Sequence, residues 1–181
     1  MPELPEVETI CRGLSKKLLN LYVLKVKTFD KKLRYNISKN IEKCLIHNKV
    51  KAIIRRGKNG IIVFSGKYNL HFHLGMTGKF LITTPNYKKK KHDHLLIRFD
   101  KNLVLIYNDV RKFGYLELIK KPLDIVSFRG IGIEPFLCKL FEKELFLKIC
   151  KKERSIKDIL LDQNYICGIG NIYASEILYR S

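Results

Sequence analysis

The spacing of apolar and polar positions divides this chain into stretches of different period. Pro5, Val7, Ile10, Cys11, Leu14 and Leu18 follow the three- and four-residue spacing of one helical face, with Pro in a first turn that needs no N–H from it. They predict an amphipathic helix to about residue 19. From residue 22 the period shortens to that of strands. Runs at 22–29, 50–56, 60–65, 69–74, 79–83, 95–100, 103–107 and 114–119 are short, rich in Val, Ile, Phe and Tyr, and separated by turn residues. The pair flanking Lys101-Asn102 reads as a hairpin. Short strands with frequent turns predict an antiparallel sandwich or barrel. The polar stretch YKKKKHDH at 87–94 reads as an exposed loop.

After Lys121-Pro122 the helical period returns. It runs through Phe141, Leu145 and Ile149, then through Ile156, Ile159 and Leu160 behind Ser155 as a cap, and over 172–179 after the turn Cys167-Gly168-Ile169-Gly170-Asn171. The predicted architecture is α+β. An N-terminal helix and antiparallel β-sandwich fill residues 1–121, a linker covers 122–135, and an incomplete helical segment covers 136–181. The last helix reaches Ser181 with no stop signal, so the pattern reads as a domain cut off partway.

Composition adds a partner class. Lys and Arg total 36 against 17 acidic residues, a net charge of +19, which favours a polyanion whose condensed counterions the cations displace. A ribosomal-type RNA binder fits that charge as well as a DNA binder does. No apolar run of about 18 residues occurs, so no membrane span is expected. An acidic N-terminus without a basic-then-apolar pattern predicts no signal peptide. Five scattered cysteines without a CxxC read as reduced, mostly buried thiols of a cytoplasmic protein, with no zinc site.

Candidate chemistry starts at Met1-Pro2-Glu3-Leu4-Pro5-Glu6. Removal of Met1 would leave Pro2 with a free secondary amine. A free α-amine titrates at roughly 7.7–8.0, against about 10.4 for Lys, so much of it is unprotonated near neutral pH. Such an amine attacking a sugar C1′ gives an iminium that acidifies the C2′ proton, and Glu3 and Glu6 are at hand to move protons. Arg55-Arg56-Gly57-Lys58 places a Lys ahead of a buried-looking run. In His73-Leu74-Gly75-Met76-Thr77-Gly78, glycines flank Met76 in a turn, while Asn108-Asp109-Val110-Arg111-Lys112-Phe113-Gly114 presents a cation and an aromatic together. His92 and His94 with Asp93 resemble metal ligands only superficially, because four lysines beside them repel a cation.

Taken together, PELPEVET, HLGMTG, NDVRKFG, the Lys after the basic pair, and GIGNIYASE resemble the bacterial formamidopyrimidine-DNA glycosylase family, in the family's order and across nearly the whole chain. The resemblance implies a bifunctional glycosylase and abasic-site lyase that removes oxidised purines from damaged double-stranded DNA. It implies catalytic roles for Pro2, Glu3 and Lys58. It makes Met76, His92, Arg111, Phe113, Lys152, Lys157 and Asn171 DNA contacts, with Met76 and Phe113 as wedges and Arg111 probing the orphaned base. Backbone N–H groups at the start of the last helix are expected to hold a phosphate. A monomer, cytoplasmic and nucleoid-associated through DNA, is implied too. The family's one-zinc finger has no counterpart here, so no cofactor is expected. Three departures stand out: Val110 for Pro, expected to loosen its loop; Lys112 for Arg, losing the planar fork; and Asn59-Gly60 where a bulky residue is usual. An inactive or lyase-only DNA-binding remnant, and a relative acting on oxidised pyrimidines, remain the alternatives.

Overall fold

The computed structural model describes residues 1–30, 32–120, 130–150 and 153–181. Helix α1 (Leu4–Leu18) buries Leu4, Val7, Cys11, Leu14 and Leu18, the face its spacing predicts, and ends with Lys16 and Lys17 against the negative end of its dipole. The strands are β1 (Val23–Thr28), β2 (Val50–Arg56), β3 (Asn59–Phe64), β4 (Tyr68–His73), β5 (Lys79–Thr83), β6 (Asp93–Phe99), β7 (Val104–Asn108) and β8 (Tyr115–Lys120). They form two antiparallel sheets, ordered β1-β6-β7-β5 and β2-β3-β4-β8. The expected sandwich is therefore present, with β6 and β7 as the expected hairpin.

One continuous core lies between the sheets. Val23, Ile97, Phe99, Leu105 and Tyr107 of the first sheet share it with Ile62, Phe64, Leu70, Phe72 and Leu116 of the second, and α1 adds Val7, Leu14 and Leu18. Helix α2 (Ile41–Leu45), too short for periodicity to register, buries Ile41 and Leu45 there as well. Register aligns the start of β3, the end of β4 and the start of β8, so Asn59, His73 and Tyr115 stand in one row. The tight turn Gly57-Lys58 lies just beyond that row.

The expected exposed loop at 87–94 is exposed only over its lysines. Asp93 and His94 are buried in β6. Asp93 accepts from the Tyr87 hydroxyl (2.9 Å), the Lys90 N–H (2.7 Å) and the Asn108 amide (2.8 Å), so a satisfied carboxylate pins the loop to β7.

The helical segment comprises a 3-10 turn (Pro135–Phe141), α3 (Glu142–Cys150), α4 (Ile156–Leu161) and α5 (Asn171–Arg180). Ser155 caps α4, its hydroxyl accepting from the Asp158 N–H at 3.1 Å. Among the described residues the buried centre here is small, consisting of Leu145, Ile166, Ile169 and Ala174. Phe136 and Tyr179 are 80% and 88% exposed, and Leu140, Phe146 and Leu147 are also largely exposed. Of the thiols, Cys11 and Cys167 are buried and each is pushed up to about 12, primarily by burial. Cys150 is exposed instead, on the solvent side of α3. The expectation of burial for Cys138 falls on a side chain outside the described residues.

A half-buried ionic cluster joins the segment to the sandwich. Glu134 accepts from Arg55 at 2.8 Å, from the Gly57 N–H at 2.7 Å and lies 3.2 Å from Arg56. Arg55 also pairs with Glu8 of α1 at 2.6 Å, and Arg56 donates to the Gly132 carbonyl at 2.6 Å. Residues 131–134, within the expected linker, are thereby fastened to the β2–β3 turn; residues 122–129 lie outside the described set. Burial pushes the Glu134 carboxyl up, but the Gly57 N–H and Arg55 outweigh it and hold the group below its ordinary 4.5.

Two outcomes follow from this arrangement. Amides of α3–α5 should exchange with solvent well before those of β3, β4 and β7, read by hydrogen exchange, because so little apolar area secures them. Glu134→Gln should cost about 1.5 kcal/mol in chemical denaturation at pH 7, since it weakens the charged hydrogen bonds with Arg55 and the Gly57 N–H while Arg55 keeps Glu8. A lowered carboxyl stabilises the fold above its ordinary titration range, and that stability is lost as pH falls through the folded value. The acid limb of stability below pH 4.5 should therefore flatten in the variant.

Candidate active site

The N-terminal residues are fixed from the far end of the chain. The Glu3 side chain is buried, and its carboxylate accepts from the N–H groups of Gly170 (2.7 Å), Ile172 (2.9 Å) and Tyr173 (3.3 Å) at the start of α5. The Leu4 N–H donates to the Gly168 carbonyl at 3.0 Å, and the Glu3 N–H to Glu6 at 2.8 Å. The approach leaves no room for a side chain at either glycine of the turn. A Cβ on Gly170 would lie 2.5 Å from the Glu3 carboxyl, and one on Gly168 would lie 2.7 Å from Leu4 Cβ, at a φ of +89° besides. Pro2 follows from this anchoring, held half-buried where a free terminus would fray.

This arrangement corrects one expectation. The helix start expected to hold a phosphate is already filled by a carboxylate of the chain itself. An anion satisfies the orphan N–H groups of a helix N-terminus whatever its origin, and Glu3 reaches them first. Asn171 stands exposed beside the turn.

Lys58 leaves the β2–β3 turn, which Gly57 closes at a φ of +55°. It is only 8% exposed, and burial lowers its ammonium below the ordinary 10.5 although nearby Glu3 opposes the shift. Next to it is His73, a residue sequence reasoning passed over except as the first letter of a motif. Burial, with Lys58, His71 and Arg34 adding repulsion, takes His73 down to about 4. Its Nδ1 accepts from the Gly75 N–H at 3.0 Å, which places the proton of the neutral ring on Nε2, and the ring stacks on Tyr115 at 5.4 Å and 8°. His73, Arg34, Met1, Gly75, Met76 and Phe113 together line a cleft of about 530 Å³. Arg34 belongs to a stretch in which the hydrophobic pattern gave no element.

Met76 and Phe113 stand on the cleft's rim, 42% and 45% exposed. Gly75 holds the Met76 turn at φ +60°, where a Cβ would run into the backbone of Phe113-Gly114. The Arg111 guanidinium lies over the Phe113 ring, 4.6 Å from its centroid. The loop that carries them is not loosened by Val110. One oxygen of Asp109 accepts from Thr77 and from the Arg111 N–H (3.2 Å), and the other accepts from the Gly114 N–H (2.8 Å), so the carboxylate supplies the restraint a Pro would have given. Lys112 finds Asp30 at 2.9 Å. Asn59 uses the place of a bulky residue to accept from the Tyr115 hydroxyl at 2.8 Å, and Gly60 leaves the space the Phe72 ring occupies.

Of the remaining expected contacts, His92 is half-buried at φ +68°, its carbonyl accepting from the Asp109 N–H at 3.1 Å, and Lys157 is exposed on α4. Lys152 lies outside the described residues. Among those residues, no group of three or more His, Cys, Asp or Glu side chains could hold a metal ion, and no helix is long and apolar enough to cross a membrane.

The chain is similar to known proteins in sequence and in fold. Residues 1–116 match the family model of the formamidopyrimidine-DNA glycosylase N-terminal domain, and residues 131–181 match that of its H2TH domain. The chain is 40% identical over 180 residues to formamidopyrimidine-DNA glycosylase of Rickettsia massiliae, and 42% identical over 183 residues to that of Zymomonas mobilis. The alignments cover 99% and 100% of this chain but 64% and 67% of those relatives, so it spans about two thirds of their length. The crystal structure of the Lactococcus lactis enzyme bound non-covalently to DNA containing an abasic site superimposes with a TM-score of 0.91 at 36% identity, covering 98% of this chain and 68% of that one. A structure of MutM with DNA containing carbocyclic 8-oxo-G is similar, with a TM-score of 0.87 at 37% identity over 98% of this chain and 67% of that one. The chain belongs to the formamidopyrimidine-DNA glycosylase family.

Proposed function

We propose that this chain is a base-excision-repair DNA glycosylase and abasic-site lyase acting on oxidised purines, 8-oxoguanine and formamidopyrimidines, in duplex DNA. The observation that carries the reading is the capture of Glu3 by the α5 N–H groups, which anchors the half-buried Pro2 next to it; buried Lys58 feels the Glu3 charge, and Met1 lines the cleft rimmed by Met76 and Phe113. The related Lactococcus lactis enzyme is bound to DNA with an abasic site, and a net charge of +19 suits the same partner here.

Once Met1 is removed, the Pro2 nitrogen attacks C1′ of the damaged nucleoside. The base leaves with the electrons of the glycosidic bond, and Glu3 assists sugar-ring opening and proton transfer, giving an iminium between Pro2 and C1′. Loss of the C2′ proton then expels the 3′-phosphate. Lys58, with its proton affinity lowered by burial, is suited to shuttling that proton. Met76 and Phe113 fill the gap left by the everted nucleotide, and Arg111 reads the base opposite. His73, neutral and donating through Nε2, along with His92, Lys152, Lys157 and Asn171, contacts the DNA backbone. These steps use no cofactor within the chain, whose expected setting is a cytoplasmic monomer associated with the nucleoid through DNA.

Borohydride trapping on a duplex carrying 8-oxoguanine opposite cytosine, with an abasic duplex alongside, tests the chemistry. The expected product is a covalent adduct that mass spectrometry maps to the Pro2 nitrogen. No adduct on either duplex, with Pro2 verified as the N-terminus, would reduce the chain to a DNA-binding remnant. An adduct on the abasic duplex alone would leave a lyase without base excision. Lys58→Ala should slow strand cleavage by roughly 10²-fold while borohydride still traps the iminium.

A further inference from the structure

His94 has a place in this geometry that the proposed chemistry does not use. It is the second residue of β6 and is fully buried. Its Nε2 lies 2.7 Å from the carbonyl oxygen of Asp109, where the loop carrying Arg111 and Phe113 begins. Its Nδ1 lies 3.1 Å from Oδ2 of Asp30, just past the end of β1. Both partners are acceptors. A neutral imidazole offers one N–H and one lone pair, and so would point a lone pair at one of them. The two contacts are satisfied together only when both ring nitrogens carry protons.

Asp30 extends this contact to the middle of the loop. The oxygen that faces His94 also accepts from Lys112 Nζ at 2.9 Å. Lys112 sits between Arg111 and Phe113 at a φ of +56°, a conformation that a residue with a Cβ keeps only when its surroundings hold it. The Asp30 carboxyl is held below its usual value, first by Lys112, against a burial effect, and further by His94. Among the described residues, the charged and titratable groups facing the His94 ring are Asp30, Lys112 through that carboxylate, Asp109, and Tyr107 with its ring 6.5 Å away. The Asp109 carboxylate is itself committed to Thr77, Arg111 and Gly114, which leaves its carbonyl to His94.

We propose that His94 and Asp30 are positioning residues for the base-probing loop: a doubly donating His94 ring ties the loop's first residue to Asp30, which in turn fixes Lys112 between Arg111 and Phe113. The inference rests on the reading of Arg111 and Phe113 as the residues that enter the duplex.

Two measurements on the whole chain test it, the first without DNA. Long-range 1H–15N correlation should show protons on both ring nitrogens of His94 at pH 7; a neutral ring at that pH overturns the proposal whatever the chain does to DNA. The second is fluorescence anisotropy on abasic duplexes with cytosine or adenine opposite the gap, from pH 6 to 9. Asp30 is half-exposed, so Asp30→Asn should fold. It should lower the preference for cytosine by roughly tenfold, as expected for losing a charged hydrogen bond. Asp30→Glu should recover part of the loss, and affinity for undamaged duplex should not change. Unchanged preference in Asp30→Asn at every pH overturns the proposal. A wild-type chain with no preference at all would instead count against the reading of Arg111, and the ring spectrum would then decide the tie by itself.

Discussion

The contact between the Glu3 carboxylate and the first N–H groups of α5 is the constraint on which the candidate site depends. It joins residues 167 positions apart in the chain. It satisfies orphan donors of a helix start and at the same time holds a terminus that would otherwise be mobile. The glycines of the 168–170 turn are needed because the N-terminal strand of residues passes against them. The Arg55–Glu134 cluster provides a second fastening, so the described contacts that join the helical segment to the sandwich are mostly polar. The long-range geometry is therefore largely electrostatic, whereas the sandwich itself is held by an apolar core.

Most of the sandwich was legible in the sequence. Its strands are short and β-branched, and the turns between them carry Gly, Asn and Asp, so the period was clear. The site was legible only through its motifs. Met76 could be expected at the surface because glycines flank it, and Phe113 from the resemblance, but nothing in local spacing says that they face one cleft. That follows from the register of β3, β4 and β8, which is a tertiary fact.

What was missed shares a physical cause. Glu134 fell in a stretch read as linker because its partners are Arg55, Arg56 and Gly57, far away in the chain. Asp93 and His94 were read with their lysine neighbours as solvated, yet each is paired with groups from elsewhere. The start of α5 was read as open to phosphate because no local residue fills it. Buried polar groups are placed by partners that one-dimensional patterns do not reveal. Val110 and Lys112 make the same point: a substitution that weakens a loop in isolation is offset by Asp109 and Asp30.

The span of the Glu3 contact also sets an order of events during synthesis. When residues 2 and 3 leave the ribosome, the N–H groups that will receive the carboxylate have not yet been polymerised. At roughly 5–20 residues per second, on the order of ten seconds pass before residues 170–173 exist. Throughout that interval the first residues remain accessible to the enzymes that trim nascent chains. The nitrogen of Pro2 can be exposed by processing before folding closes around it, so the lateness of this contact protects the terminus only after it has been prepared.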